Sequence, residues 1–251
     1  MLKRSNVIFV IDGSFEGFLC SLFFGFSEKI VPADVVDETY QMDLFHQTYQ
    51  IVTHEAKANR VAKGIIKQGG YQAFRELYLA FLCVHEERYY AMYQFACMIL
   101  TEGKRANYAI STGAGSRVMQ LSKFVLNEAQ MMKEIIRFSV LEHDVLFAKF
   151  APKSDCMEPV LDHFSRRFSA MGVMLCDTVH KRVGVFQPPK EKMILSVDQI
   201  PNPEYGEEEQ NYRKLWKQFF QSVAIKERYN PKCQNTHLPK RYRMYMTEFL
   251  E

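Results

Sequence analysis

The C-terminal part of the chain carries a cluster of basic residues that could bind a polyanion. Between Tyr212 and Arg243 there are nine Lys or Arg residues and a single acidic residue, Glu227, with six aromatic residues among them. The preceding 211 residues hold 23 basic and 26 acidic side chains, so the net charge of +3 hides a strongly polarised sequence. Such a cationic segment attracts the phosphate backbone of nucleic acid, which is the first partner that the sequence predicts.

Seven cations of this segment are the predicted phosphate contacts, some on the polar face of a helix and the rest in a stretch interrupted by prolines. They are Arg213, Lys217, Lys226, Arg228, Lys232, Lys240 and Arg241. The apolar residues between them follow helical spacing, which predicts that most of them are core anchors and not platforms for base stacking. These are Leu215, Trp216, Phe219, Phe220 and Val223. An acidic protein is the alternative partner for the same charges.

Two carboxylates near the N-terminus, Asp12 and Glu16, form a second candidate site. A carboxylate at the end of a buried strand, beside the start of a helix, is a common position for a metal ligand or a general base. The alternative is that Asp12 or Ser14 caps the helix while Glu16 interacts with the helix dipole. Two carboxylates four residues apart lack the third partner that most mechanisms need, which favours the capping interpretation.

A third candidate is the glycine-containing segment that ends at Arg117, with Gly113, Gly115 and Ser116 before it. Free backbone N–H groups at a helix start could hold a phosphate, with help from Arg117. The segment lacks the Lys and the spacing of a P-loop and does not follow a convincing strand, so it does not predict a nucleotide-binding fold. A contact with a DNA phosphate and a simple capped helix start both remain open.

The spacing of cysteine and histidine argues against a metal or cofactor site. The six cysteines are scattered without a Cys-x-x-Cys pair, and no two histidines have the spacing of zinc ligands, so we expect neither a metal nor a cofactor. No stretch approaches the roughly 20 apolar residues that span a membrane, which predicts no membrane partner. We find no export signal, and therefore expect a cytoplasmic protein with reduced, mostly buried thiols.

The elements that position these residues follow from the periodicity of the apolar side chains. Val7–Ile11 is predicted to be a buried strand, followed by a turn and a helix that ends near Phe26. After an extended piece at 48–53, helices are predicted at 55–67, 70–82, 86–101 and 112–136. A period of two then predicts strands at 138–141, 145–150, 173–177, 182–186 and 192–197, with a helix at 159–168. A last amphipathic helix is predicted at 210–224.

Together these elements predict an α+β protein. Residues 1–136 would form a strand-turn-helix and a helical body, and residues 137–200 a small antiparallel β-β-α-β-β-β unit. Residues 207–251 would form a basic, largely helical segment packed on the body.

Three groups of residues carry a resemblance to a known family. The first is Ile11-Asp-Gly-Ser-Phe-Glu-Gly-Phe-Leu19, and the second consists of Ile136-Arg-Phe138 and Arg166-Arg-Phe168. The third consists of Leu215-Trp-Lys217, the stretch from Ala224 to Pro231, and Leu238-Pro-Lys-Arg-Tyr242. Together they resemble a bacterial family of DNA metabolism or DNA repair proteins, a domain of unknown function that occurs alone or fused to a uracil-DNA glycosylase-like domain. The resemblance covers essentially the whole chain.

The resemblance implies DNA-linked work beside a radical S-adenosylmethionine (radical SAM) protein, which the stand-alone members neighbour. This chain departs from the family pattern at Gln130, where the pattern has a His, and at Arg243, where a Trp is frequent. Without a cysteine cluster for radical chemistry, the chain would supply DNA binding, substrate presentation or a separate step. We therefore expect a non-catalytic accessory DNA-binding protein of a repair or modification system. Two alternatives remain: an enzyme that acts on DNA or nucleotides through Asp12 and Glu16, and a protein-interaction module that docks on the radical SAM partner.

Overall fold

The computed structural model of the chain describes residues 3–41, 46–103 and 113–250, except for the side chains of Lys3, Arg4 and Lys226. The chain forms two compact units, residues 1–125 and 126–251. Helices and β-sheets occur in both, which confirms the predicted α+β class. The division falls inside a long helix, whereas the sequence predicts a boundary at residue 136.

The first unit contains two small parallel sheets, and the predicted strand β2 is the central strand of the larger one. The strands are β1 (Lys3–Arg4), β2 (Val7–Ile11), β3 (Ile30–Val31), β4 (Asp34–Asp37) and β5 (Gln47–Gln50). β4 and β5 flank β2 on either side, and β1 pairs with β3. The central position explains why residues 8–11 are all buried, as the continuous apolar run predicted.

Helices cover this sheet and supply most of the first unit. They are α1 (Phe15–Glu28), α2 (Glu55–Gly69), α3 (Tyr71–Phe81), α4 (Arg88–Glu102) and the beginning of α5 (Ala114–Ile135). Their positions confirm the predicted helical stretch. Phe15 lies at the centre of an aromatic cluster that joins α1 to α3, with ring centroids 5.7 Å from Phe74 and 5.3 Å from Tyr78.

The second unit contains the predicted order β-β-α-β-β-β. The elements are β6 (Ser139–Val140), β7 (Leu146–Phe150), α6 (Met157–Arg167), β8 (Val173–Asp177), β9 (Arg182–Gln187) and β10 (Glu191–Ser196). The strands form one sheet in the order β10-β9-β8-β7-β6. A wholly antiparallel sheet was predicted, and this prediction is wrong. The sheet is mixed, because β7 and β8 are parallel. The chain returns through α6 before it adds β8, and such a helical crossover makes consecutive strands parallel.

Helix α6 packs closely on the sheet, and a glycine permits this approach. A Cβ atom at Gly184 of β9 would lie 2.7 Å from Sδ of Met157 and 3.2 Å from Leu161. Met157 and Leu161 are both buried, together with Val160 and Phe164 of the same helix. This interface forms the core of the second unit on one side of the sheet.

The turn between β8 and β9 is held by a buried aspartate. Asp177 Oδ1 accepts hydrogen bonds from the N–H groups of Val179 (2.9 Å) and His180 (3.1 Å), and Oδ2 lies 2.6 Å from Nδ1 of His180. Burial by itself would lower the pKa of His180, but the hydrogen bond to Asp177 and the charges of Asp177 and Asp155 outweigh burial and raise it. The protonated imidazole therefore stabilises the turn more than the neutral one.

The C-terminal segment completes the second unit. It consists of α7 (Glu207–Ser222), α8 (Pro231–His237) and three short 3-10 turns, Lys226–Arg228, Lys240–Tyr245 and Thr247–Phe249. The turn at 240–245 contacts β7, and the turn at 247–249 contacts α7. No helix within the described ranges is long and apolar enough to cross a membrane.

Candidate nucleic-acid interface

Helix α7 begins at an acidic triplet, three residues before the predicted start at residue 210. Glu207, Glu208 and Glu209 lie in its first turn, where carboxylates interact favourably with the helix dipole. Oε2 of Glu209 also accepts a hydrogen bond from the N–H of Val140, at 3.1 Å. Near the other end of the helix, the ring of Phe220 packs on Phe249 with centroids 5.6 Å apart. Two contacts with the rest of the second unit thus hold α7 in place.

The apolar face of α7 is exposed, so the prediction that it anchors the core is wrong. No residue of this fully described helix is buried. The exposed fractions are 61% for Tyr212, 59% for Leu215, 40% for Trp216, 54% for Phe219 and 54% for Val223. Phe220 is the exception in being half-buried. Helical spacing shows that a helix has an apolar face, but it does not show what covers that face.

A groove runs along this face of α7. Its volume is about 790 Å³, which falls within the about 300–1,000 Å³ that is typical of ligand sites. The residues lining it are Arg137, Phe138, Glu209, Tyr212, Arg213, Leu215, Trp216, Phe219 and Thr247. The groove therefore combines aromatic walls with two guanidinium groups.

The orientation of Trp216 is fixed by a chain of polar contacts. Its Nε1 donates to Oε2 of Glu248 at 3.1 Å, and Oε1 of Glu248 accepts from Nη2 of Arg137 at 2.8 Å. Burial alone would raise the pKa of Glu248, but hydrogen bonds from its own backbone, Arg137 and Trp216 lower it, as does the charge of Arg137. Glu248 is therefore held as a carboxylate, which keeps both partners in place.

Arg213, one of the predicted phosphate contacts, lies at the groove. Its guanidinium sits over the ring of Tyr205, 4.4 Å from the centroid, and Nη1 donates to Oγ of Ser139 at 3.4 Å. Both contacts leave donors of the half-buried guanidinium free for a ligand. The structure thus places this cation next to the exposed aromatic residues of α7.

Four other predicted contacts make no ion pair within the described part of the chain. Arg228, Lys232 and Lys240 are exposed and Lys217 is half-buried, and none of them forms a side-chain hydrogen bond to a described residue. The side chain of Lys226 lies outside the described residues. An anionic ligand could therefore bind these cations without breaking a contact inside the described part of the chain.

Arg241, in contrast, belongs to an internal network around Glu128 of α5. Glu128 is 6% exposed, and its oxygens accept hydrogen bonds from the backbone N–H groups of Lys153 (2.5 Å) and Ser154 (2.9 Å). The hydroxyl of Tyr242 donates to the same carboxylate at 3.0 Å, and Nη2 of Arg241 lies 3.7 Å away. Burial, together with the charge and hydrogen bond of Glu128, raises the pKa of Tyr242 to about 12. Arg241 therefore helps to anchor the segment.

Arg243 also has an internal role. Its Nη2 donates to the carbonyl oxygen of Leu238 at 2.7 Å and to Oδ1 of Asn235 at 2.9 Å, and its guanidinium lies over the ring of Phe249. Counting charges along the sequence could not distinguish this arginine, or Arg241, from the unpaired cations. What distinguishes Arg241 is its ion pair with Glu128, a residue of α5 that lies far away in the sequence.

At the N-terminal candidate, the contacts support the capping interpretation. Oδ1 of Asp12 accepts from the N–H (3.0 Å) and the Oγ (2.6 Å) of Ser14, and Oδ2 accepts from Oγ1 of Thr53 at 2.8 Å. Ser14 in turn caps α1 by accepting from the N–H of Gly17. Burial alone would raise the pKa of Asp12, but these hydrogen bonds lower it. Glu16 is exposed in the first turn of α1, beside the dipole as expected.

The glycine-containing candidate forms the start of α5. Gly113 has a φ of +65°, and its carbonyl oxygen accepts from the N–H of Arg117 at 3.1 Å. Gly115 is buried and Ser116 is half-buried, while Thr112 lies outside the described residues. Arg117 pairs with Glu87 at 3.2 Å, so its charge is already partly compensated. Across the described ranges, no group of three or more His, Cys, Asp and Glu residues could hold a metal ion.

Comparison with known proteins identifies one family. A family model described as a domain of unknown function, DUF4130, matches residues 86–248, which is about two thirds of the chain and includes the whole sheet of the second unit and α7. No curated protein matches the chain significantly.

Proposed function

The chain belongs to the DUF4130 family, a domain of unknown function, and on that premise we propose that it is an accessory DNA-binding protein of a repair or modification system. The observation that carries the proposal is the set of unpaired cations in the C-terminal segment: Lys217, Arg228, Lys232 and Lys240. They would grip backbone phosphates, which carry charge but no base identity. Affinity should therefore depend strongly on salt and weakly on sequence.

The family resemblance of the sequence motifs supports the rest of the proposal. The protein would act in the bacterial cytoplasm beside a radical SAM protein, to which it would present DNA. Because both carboxylate oxygens of Asp12 accept hydrogen bonds from Ser14 or Thr53, we assign it a structural role at the turn before α1. Binding to the radical SAM partner without any affinity for DNA would replace this proposal by a protein-interaction module.

The test is a salt titration of DNA binding, followed by the fluorescence anisotropy of a labelled oligonucleotide. The double variant Lys232→Glu, Lys240→Glu reverses two exposed, unpaired charges, so it should weaken binding and reduce the salt slope by about 1.4–1.8. The matched control is Lys123→Glu, Lys190→Glu, which reverses two exposed lysines outside the C-terminal segment. Equal affinity and equal slope in both double variants would refute the proposal.

Arg241 is excluded from this test for a structural reason. Its replacement by Glu would place a second carboxylate beside the buried Glu128, at a position where the guanidinium now lies 3.7 Å away. Loss of binding in that variant would report disturbed folding as well as a lost phosphate contact.

A further inference from the structure

We propose that the groove on α7 binds the unstacked bases of a single-stranded nucleic acid, an inference that rests on the proposed function and deepens it. The aromatic side chains of Tyr212, Trp216 and Phe219 would stack on the bases. The guanidinium of Arg213 in the groove wall would hold a neighbouring phosphate. The protein would then prefer single strands to duplex of the same length.

The first support is the size of the exposed apolar face. Four apolar or aromatic side chains of α7, those of Tyr212, Leu215, Trp216 and Phe219, are 40–61% exposed and line the groove together. Soluble proteins rarely leave a contiguous patch of this kind uncovered unless it binds something. The face is therefore an expected contact surface for a ligand.

The second support is charge, which selects among the possible occupants of the groove. Arg213 lies in the wall of the groove, and its contacts with Tyr205 and Ser139 leave guanidinium donors free for an anion. Among the lining residues the acidic one is Glu209, which accepts a hydrogen bond from the N–H of Val140, and the carboxylate of Glu248 pairs with Arg137. An apolar peptide would leave the guanidinium of Arg213 without an anionic partner. A nucleic acid supplies both an aromatic surface and anions.

The third support is the fixed position of the aromatic rings. Trp216 is held through its hydrogen bond to Glu248, and its centroid lies 5.8 Å from that of Phe219 at an angle of 33°. A ring that is already oriented loses little conformational entropy when a base stacks on it.

Duplex DNA is a poor match to this surface. Its bases are stacked on each other inside the helix and present only their edges in the grooves, whereas single strands can splay their bases onto aromatic side chains. Only a single strand can therefore use the apolar face and the cations together.

The test compares the affinities for a single-stranded oligonucleotide, its duplex, and an oligonucleotide of the same length with an abasic backbone. We expect the single strand to bind most tightly and to quench the fluorescence of Trp216, which is the single tryptophan of the chain. Equal affinity for the abasic and the normal strand would overturn the inference while leaving phosphate binding, and thus the proposed function, intact. Failure to bind any of the three would instead refute the proposed function.

Two substitutions distinguish a loss of base stacking from a loss of folded structure. Phe219→Ala removes a side chain that is 54% exposed, and should weaken single-strand binding by about 5- to 150-fold with an unchanged salt slope. Trp216→Phe keeps a stacking ring and should retain most of the affinity. The control Tyr71→Ala removes an aromatic side chain that is 67% exposed on α3 and should have no effect.

The variant Phe219→Ala also tests whether a second copy of the chain occupies the groove. If Phe219→Ala turns a dimer into a monomer in sedimentation measurements but leaves the affinity for the single strand unchanged, the face is an interface between two copies. That result would overturn the inference.

Discussion

Replacing the buried Glu128 by Ala should destabilise the second unit by about 3–5 kcal/mol. The carboxylate accepts hydrogen bonds from two backbone N–H groups, those of Lys153 and Ser154, and from the hydroxyl of Tyr242. Without it, the buried N–H of Ser154 loses its acceptor at a cost of about 1–3 kcal/mol, and the loss of the part-buried hydrogen bonds from Lys153 and Tyr242 adds about 1 kcal/mol each. The ion pair with Arg241 is partly exposed and long at 3.7 Å, so we add nothing for it.

Urea unfolding measures this effect directly, because Trp216 lies in the same unit as Glu128 and its fluorescence reports the transition. With a urea dependence of about 2 kcal/mol per molar, the midpoint should fall by about 1.5–2.5 M. Tyr242→Phe removes one of the three hydrogen bonds and should cost about 1 kcal/mol.

The matched control is Glu134→Ala, which removes an exposed carboxylate from the same helix. Among the described residues, Gln130 is the one that donates a hydrogen bond to the Glu134 side chain, at 3.0 Å. This change should therefore stay within about 0.5 kcal/mol of the parent chain. A Glu128→Ala variant that is no less stable than Glu134→Ala would refute the claim that this carboxylate holds the segment.

Three more predictions concern other parts of the fold. Folding raises the pKa of His180 above its ordinary value of about 6.5, so its stabilisation is complete below that pH and is lost as the pH rises through the raised pKa. Urea midpoints should fall over this window in the parent chain and stay level in His180→Gln. Gly25→Ala should cost about 1–3 kcal/mol, because the new Cβ would lie 2.0 Å from the hydroxyl oxygen of Tyr93. Adding Tyr93→Phe should recover part of this loss in thermal unfolding, and a double variant as unstable as the single one would contradict the steric explanation. Folding lowers the pKa of Glu248, so its stabilisation is present above the unfolded pKa of about 4.3 and is lost as the pH falls through the lowered pKa. Arg137→Gln should therefore move acid unfolding, followed by circular dichroism, to higher pH, and an unchanged acid midpoint would count against it.

The periodicity of apolar residues along the sequence was enough to predict most of the helices and strands. The apolar run Val7–Ile11 is β2, and the predicted helices of the first unit coincide with α1 to α4 within a few residues. The strand β4 was missed because Asp34–Asp37 has only two apolar residues between two acids. It becomes a strand by pairing with β2, and pairing between distant segments leaves little trace in a short sequence.

In the second unit, the sequence pattern did not predict which neighbouring strands are parallel. A period of two along the sequence predicts a strand but not the direction in which its neighbour runs. The parallel pairing of β7 with β8 is set by the path of α6 between them, which is a property of the folded chain.

The concentration of positive charge after Tyr212 and the single apolar face of α7 can be read from the sequence, because composition and helical spacing are local properties. Which cations make internal contacts depends on how distant parts of the chain fold together. Arg241 pairs with Glu128, more than a hundred residues away along the chain, whereas Lys232 and Lys240 remain unpaired in the described part. The tertiary structure also left the apolar face of α7 uncovered, since the burial of a side chain depends on what the rest of the chain packs against it.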